Sequence, residues 1–256
     1  MNTKPYILIT NDDGIFAPGL FALYESLRQI AEVAVVAPDS EKSAVGHAIT
    51  LSDPLRVTPF EKYGKFFGHA VNGTPADCVK IAYFALLPRK PDMVISGINY
   101  GSNTGINIIY SGTVSAATEA TILGMPSFAI SLTTFKDADF TFAAKFAAKL
   151  VPIILQRGLP KGTFLNINVP NVTEAEIRGV AITRMGQSIY DDKYDRRVDP
   201  RNRVYYWLTG SKINGEDSEE VDDGAIEKNL VSITPIHYDL TNYSYLEELK
   251  RWEIQA

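Results

Sequence analysis

The chain has 256 residues, 45% hydrophobic and 21% charged, a balance that suits one large or two small globular domains and argues against a disordered, collagenous or coiled-coil chain. Twenty-five Lys and Arg stand against 30 Asp and Glu, a formal charge of −5, so there is no overall field to hold a nucleic-acid duplex or an anionic membrane. The lone Cys78 excludes an internal disulfide framework or a thiolate zinc site and fits a reducing, cytoplasmic setting.

At the N-terminus only Tyr6 to Ile9 are apolar before Asn11, too short a run for a signal peptide. Nothing elsewhere approaches the roughly 18 apolar residues of a membrane span. The whole chain is therefore expected to be mature and soluble. Through its first two-thirds, short β-branched runs at 6–10, 33–37, 93–96, 127–131 and 164–169 alternate with helical patterns at 18–30, 75–86, 113–123 and 140–156. This alternation predicts right-handed βαβ units and a mostly parallel sheet covered on both faces, a three-layer Rossmann-like α/β fold. Ligands of such sheets bind beyond the carboxyl ends of the strands. After Pro170 the texture changes. Strands are expected at 178–184 and 204–208 around the charge-mixed stretch 191–203, read as a solvated hairpin or interface arm. An acidic stretch from Gly215 to Asp223 then precedes a strand at 230–234 and an amphipathic helix at 243–252. The expected division is a catalytic core over 1–170 and an antiparallel C-terminal extension over 171–256.

The polar motifs fall at the strand ends. Asn11-Asp12-Asp13-Gly14 closes the first strand, and adjacent carboxylates repel each other unless a cation compensates, a divalent metal being the economical one. Pro38-Asp39-Ser40-Glu41-Lys42-Ser43 follows the second strand and brings hydroxyls and a cation to the same edge. Ser96-Gly97-Ile98-Asn99-Tyr100-Gly101-Ser102-Asn103-Thr104-Gly105 follows the third. Its glycines allow close approach of backbone N–H groups to an anion, while its spacing matches neither a dinucleotide fingerprint nor a P-loop. Tyr110-Ser111-Gly112-Thr113 stands before a helix, where unpaired N–H groups and the dipole attract phosphate. Alone, each of these segments reads as an ordinary turn or helix cap; their coincidence at one sheet edge favours a site. Cys78, in a helical pattern without an activating neighbour, reads as a core residue, and His47, His69 and His237 show no metal-ligand spacing.

With these motifs, the sequence resembles the SurE (survival protein E) family of metal-dependent nucleotidases. The resemblance runs through Asn11 to Gly14, Ser43 with Gly46-His47-Ala48-Ile49-Thr50, Gly73-Thr74-Pro75-Ala76-Asp77-Cys78-Val79-Lys80, Ser96 to Gly105, Ser111-Gly112-Thr113, Leu165-Asn166-Ile167-Asn168-Val169-Pro170 and Ser232-Ile233-Thr234-Pro235. It implies one divalent metal per subunit, Mg²⁺ or Mn²⁺, held by Asp12, Asp13, Ser43 and Asn99. It implies a phosphate pocket at Ser111, Gly112 and Thr113, with Asn11, Gly73, Thr74 and Asn103 also on the substrate. Asp12, Asn99 and Ser111 are the catalytic candidates. Family members often carry Arg where Ser40 and Lys42 stand, and Lys keeps the charge without the bidentate fork.

The function expected is a 5'-nucleotidase, hydrolysing nucleoside 5'-monophosphates, and 3'-monophosphates as well, by attack of a metal-activated water. Two alternatives remain in view. One is a covalent phosphatase with Asp12 as nucleophile, although here the carboxylates are adjacent and not spaced as Asp-x-Asp. The other is a non-catalytic receiver-like module, which would need an Asp at the central strand end where Ser96-Gly97 stands. The charged hairpin and last helix have too little sequence around them for a core of their own, so a homodimer or homotetramer through the C-terminal extension is expected.

Overall fold

The computed structural model describes residues 4–213, 216–252 and 254, so Gly215 of the acidic stretch lies outside the described residues. The first strand, β1 (Tyr6–Thr10), is buried at every position. Leu8 joins a cluster with Val36, Val71, Cys78, Val79, Ala116 and Ala120, while Ile7 and Ile9 join another with Leu20, Leu23 and Leu27. A strand read as a continuous apolar run is thus covered on both faces. The other strands are β2 (Glu32–Pro38), β3 (Val57–Lys62), β4 (Lys65–Val71), β5 (Met93–Tyr100), β6 (Ser127–Thr133), β7 (Thr163–Pro170), β8 (Gly179–Ile182), β9 (Ile189–Val198), β10 (Val204–Ile213) and β11 (Leu230–His237). Helices are α1 (Pro18–Leu27), α2 (Pro75–Ile81), α3 (Gly112–Ile122), α4 (Thr141–Arg157), α5 (Asp222–Glu227) and α6 (Tyr243–Lys250).

One nine-stranded sheet has the order β3-β4-β2-β1-β5-β6-β7-β11-β8, and β9 and β10 form a separate antiparallel pair. From β4 to β7 every neighbouring pair is parallel. The chain leaves β1 toward β2 on one side and returns through α2 to β5 on the other. The order therefore reverses between β1 and β5, where open α/β sheets bind ligands. β11 runs antiparallel to β7 and parallel to β8, so two strands from beyond residue 170 complete the sheet.

Three departures from the expectation have local reasons. α2 stops at Ile81 and gives way to a π turn at Ala82–Leu86; Leu87, before Pro88, is extended, as the proline ring requires of its predecessor. β5 runs on to Tyr100, pairing Asn99 with Ser131 and Tyr100 with Leu132 after a register shift past Ser96. The β3–β4 hairpin has no counterpart in the sequence reading. Its two-residue turn, Tyr63-Gly64, has positive φ at both positions, 55° and 70°, the primed turn geometry that is easily read only from Asn-Gly or Asp-Gly. None of the described helices is long and apolar enough to cross a membrane. Cys78 is fully buried and burial pushes its thiol up, in keeping with a core role.

Candidate active site

The carboxylates follow directly from the end of β1, at the β1/β5 switch point. Asn11 shapes the turn by donating from Nδ2 to the Gly14 carbonyl at 2.9 Å, and its Oδ1 is buried without a hydrogen-bond partner. Asp12 is 5% exposed. Its Oδ1 accepts from the Thr113 hydroxyl at the start of α3, and the Thr113 N–H also faces the carboxylate. Burial is the largest influence and pushes the Asp12 carboxyl up; the Thr113 contacts oppose it and Glu41 adds to it. Asp13 accepts the Tyr100 N–H on Oδ2 at 3.2 Å. Burial first, then the charge of Asp12, lift its carboxyl to about 7. Among the described residues no lysine or arginine pairs with either aspartate.

The surrounding loops close on this pair. Lys42 donates its backbone N–H to the Asp12 carbonyl at 2.7 Å, which fastens the segment after β2 beside the carboxylates. Gly112 is required by close approach, because a Cβ there would lie 2.8 Å from the Asp12 Cβ. Asn99 donates from Nδ2 to the Gly101 carbonyl at 2.7 Å, which leaves its Oδ1 as the donor-free end of the amide. Ser111 is the N-cap of α3, its Oγ accepting from the Val114 N–H at 3.1 Å. The Ser43 hydroxyl, which is exposed, donates to Glu41 at 2.6 Å and to neither aspartate.

Asp12, Asp13, Asn99, Ser111, Gly112 and Thr113 are therefore brought to one edge, with Asn11 beneath them. The Thr113 hydroxyl is turned onto Asp12. Gly73 and Thr74 lie at the start of α2, where Thr74 caps the helix and its Oγ1 donates to Ala48 at 2.7 Å. Asn103 is buried. Its side chain donates to Ser131, its N–H to Asn168, and its carbonyl accepts from Asn166 and Asn168. The supporting residues Ser131, Asn166 and Asn168 are legible in sequence only as polar interruptions of apolar strands, and Asn166 and Asn168 alternate on one face of β7 as two-residue spacing dictates.

A further support is Asp222 of α5, fully buried, whose carboxylate accepts the N–H groups of Gly105 and Gly186 at 2.8 and 2.9 Å. It ties the end of the Asn103 loop to the segment leading into β9. His47, from the sequence motif after Ser43, contacts Glu119 of α3 at 2.9 Å, and Glu119 also accepts from Lys80 of α2 at 2.9 Å. A depression of about 1590 Å³ lies at the opposite sheet edge, lined by Lys4, Glu32, Arg89 and Asp92 among others. Arg89 pairs there with both Glu32 and Asp92, Lys4 donates to the Gln29 carbonyl, and the depression is remote from the strand ends that carry the aspartates.

Among the described residues no group of three His, Cys, Asp or Glu side chains is arranged around a metal. The donor chemistry nevertheless fits a hard cation. The buried Asp12 and the half-buried Asp13, without a lysine or arginine partner among the described residues, the second lifted to about 7, and the Asn99 amide oxygen form an oxygen-only set of the kind Mg²⁺ or Mn²⁺ takes.

Comparison with known proteins identifies the family. The family model described as Survival protein SurE matches residues 7–192. A protein of Syntrophobacter fumaroxidans named 5'-nucleotidase SurE is 52% identical over 248 residues, covering 97% of this chain and 99% of its own. One of the same name from Moorella thermoacetica is 52% identical over 244 residues, 95% and 94% of the two chains. The crystal structure of the SurE protein from Aquifex aeolicus superposes with a TM-score of 0.85 at 40% identity, covering 98% of this chain and 100% of that one. With its matched segment spanning the paired aspartates, the Asn99 strand end and the start of α3, the chain belongs to the SurE family.

Proposed function

We propose that this chain is a metal-dependent phosphomonoesterase that hydrolyses nucleoside 5'-monophosphates, and 3'-monophosphates as well, to nucleoside and phosphate. The observation that carries the reading is the Asp12–Asp13 pair at the sheet switch point, Asp12 buried and Asp13 half-buried, with no lysine or arginine partner among the described residues and the start of α3 packed against it. The names of the relatives, 5'-nucleotidase SurE, support the substrate class. One divalent cation per subunit, Mg²⁺ or Mn²⁺, would be held by Asp12, Asp13 and Asn99, with Ser43 reaching it on release from Glu41. When bound, it would neutralise phosphoryl charge and lower the pKa of a water. Asp13 is the firmer ligand. Asp12, with Oδ1 fixed by Thr113, orients the attacking water and takes its proton at the other oxygen. The Ser111 hydroxyl and the Gly112 N–H, at the start of α3, stabilise charge on the phosphoryl oxygens. Gly73, Thr74 and Asn103 shape the substrate side through the loops they hold, and Asn11 sets the turn beneath it.

Release of phosphate from AMP with Mg²⁺ or Mn²⁺ tests the reading. Exhaustive chelation should abolish it, and Asp13→Ala should lose both activity and Mn²⁺ affinity measured by calorimetry. Full activity in EDTA would refute the metal, and an acyl phosphate trapped on Asp12 during turnover would replace water with Asp12 as nucleophile.

The same proposal assigns residues 1–170, with β8, β11 and α5 completing their sheet and loops, to the catalytic core, and the β9–β10 ribbon and α6 of the 171–256 extension to oligomer formation. It places the protein in the cytoplasm, where the lone thiol of Cys78 would stay reduced. Tyr194, Tyr206, Trp207 and Leu208 of the β9–β10 pair and Leu240 are exposed, more apolar surface than a two-stranded ribbon keeps stable in water alone.

A further inference from the structure

We propose that Tyr100 and Phe135 form the nucleobase subsite of this chain, an aromatic corner against which the base of the nucleotide stacks; this rests on the nucleotidase reading above. Tyr100 closes β5, and its N–H donates to the Asp13 carboxylate at 3.2 Å. Its side chain therefore leaves the main chain beside the reacting centre. Phe135 follows β6 at the same sheet edge. The two rings meet edge to face, with centroids 6.1 Å apart and planes at 90°. Both are open to solvent, Tyr100 at 38% and Phe135 at 70%. Single exposed apolar residues are ordinary, but two aromatic rings in mutual contact at the rim of a charged site present a surface that a flat heteroaromatic ring fits.

The corner is also built from beneath. Gly101 has φ +111°, and a Cβ there would come within 2.6 Å of the Phe135 ring, so only glycine lets the ring lie over the loop. Gly101 is pinned by its N–H to Leu132 at 3.0 Å and by Asn99, whose amide donates to its carbonyl at 2.7 Å. The residue offered to the metal and the floor of the corner are thus joined through one amide.

The direction of the substrate follows from which flank is filled. On the α3 side, Gly112 and Thr113 pack directly on Asp12. With that flank closed, a phosphoryl group bound beside the carboxylates has its nucleoside directed away from α3, toward the Asp13 flank where Tyr100 and Phe135 stand. Stacking reads no hydrogen-bond pattern and accepts every base, so the corner gives broad base tolerance.

The test compares AMP with ribose 5-phosphate, which has the same phosphate and sugar without the base, using the full-length enzyme loaded with Mn²⁺. Phe135→Ala should reduce the kcat/KM preference for AMP over ribose 5-phosphate by about tenfold, as expected for loss of one stacking contact. The loss should fall in KM, Tyr100→Leu should act in the same direction, and Phe135→Trp should restore the preference. An unchanged preference in both Phe135→Ala and Tyr100→Leu would overturn the corner, as would a wild-type enzyme that treats the two substrates alike. A wild-type enzyme that hydrolyses no phosphomonoester would instead overturn the nucleotidase reading and remove the corner's ligand with it.

Discussion

Asp12 and Asp13 are neighbours in sequence but are held by different parts of the fold. Asp12 faces the start of α3 through Thr113, and Asp13 faces the end of β5 through the Tyr100 N–H. Separate partners fix the orientation of each carboxylate independently of the other. Thr113→Val would leave Asp12 Oδ1 without its hydroxyl donor in a buried site. We expect kcat for AMP to fall by about 100-fold, the scale of losing a well-placed acid–base group, with KM little changed and recovery in Thr113→Ser. Loss confined to KM would return Thr113 to direct substrate binding. The sequence pointed to this hydroxyl through its position at a helix start, but a phosphate and a carboxylate are equally suited to that position, and only the packing of α3 on the end of β1 distinguishes them.

At the scale of elements, loops are fastened to helix starts by single carboxylates. Asp77 receives the N–H and hydroxyl of Thr50 and the N–H of Thr74, joining the segment after His47 to α2. Burial alone would raise its carboxyl, but these hydrogen bonds outweigh it and hold the pKa below the ordinary value. A depressed carboxylate stabilises the fold above its unfolded pKa of about 4, and that contribution is lost as pH falls through the folded value. Asp77→Asn should therefore weaken the dependence of the urea midpoint on pH between neutrality and pH 3; an unchanged acid limb would deny the role. Asp222 performs a similar task for the Asn103 loop, taking the N–H groups of Gly105 and Gly186. Asp222 also accepts the Asp223 N–H at 2.9 Å, so Asp222→Ala strands three buried donors, at about 1–3 kcal/mol each, and should lower the urea midpoint correspondingly, while Asp222→Asn, which keeps one acceptor oxygen, should lose less.

For the whole molecule, the order of the sheet explains where the site lies. Because β1 and β5 are adjacent and the chain departs from them in opposite directions, the segments after β1, β2 and β5 and the start of α3 meet over one gap. Among the described residues the β9–β10 ribbon pairs only with itself and leaves Tyr206, Trp207 and Leu208 exposed. We expect sedimentation at micromolar concentration to show a dimer or tetramer, and Trp207→Glu with Leu208→Glu to shift it toward monomer. A wild-type monomer under those conditions would contradict the assignment of this ribbon to assembly.

The sequence alone determined the alternating elements, the mostly parallel sheet and the positions of Asp12, Asp13, Asn99 and Ser111 at strand ends and a helix start. Periodicity, turn chemistry and helix-start signals are local and survive in one dimension. Only the tertiary structure decided what each polar group faces. The Thr113 hydroxyl on Asp12, the Asn166 and Asn168 amides on Asn103, and Asp222 on Gly105 bridge separations of 101, 63, 65 and 117 residues. A buried donor requires an acceptor, but its own sequence neighbourhood does not say which distant segment supplies it. The same holds for Tyr100 and Phe135, which look like unrelated apolar residues in the sequence and become a corner because β5 and β6 lie side by side.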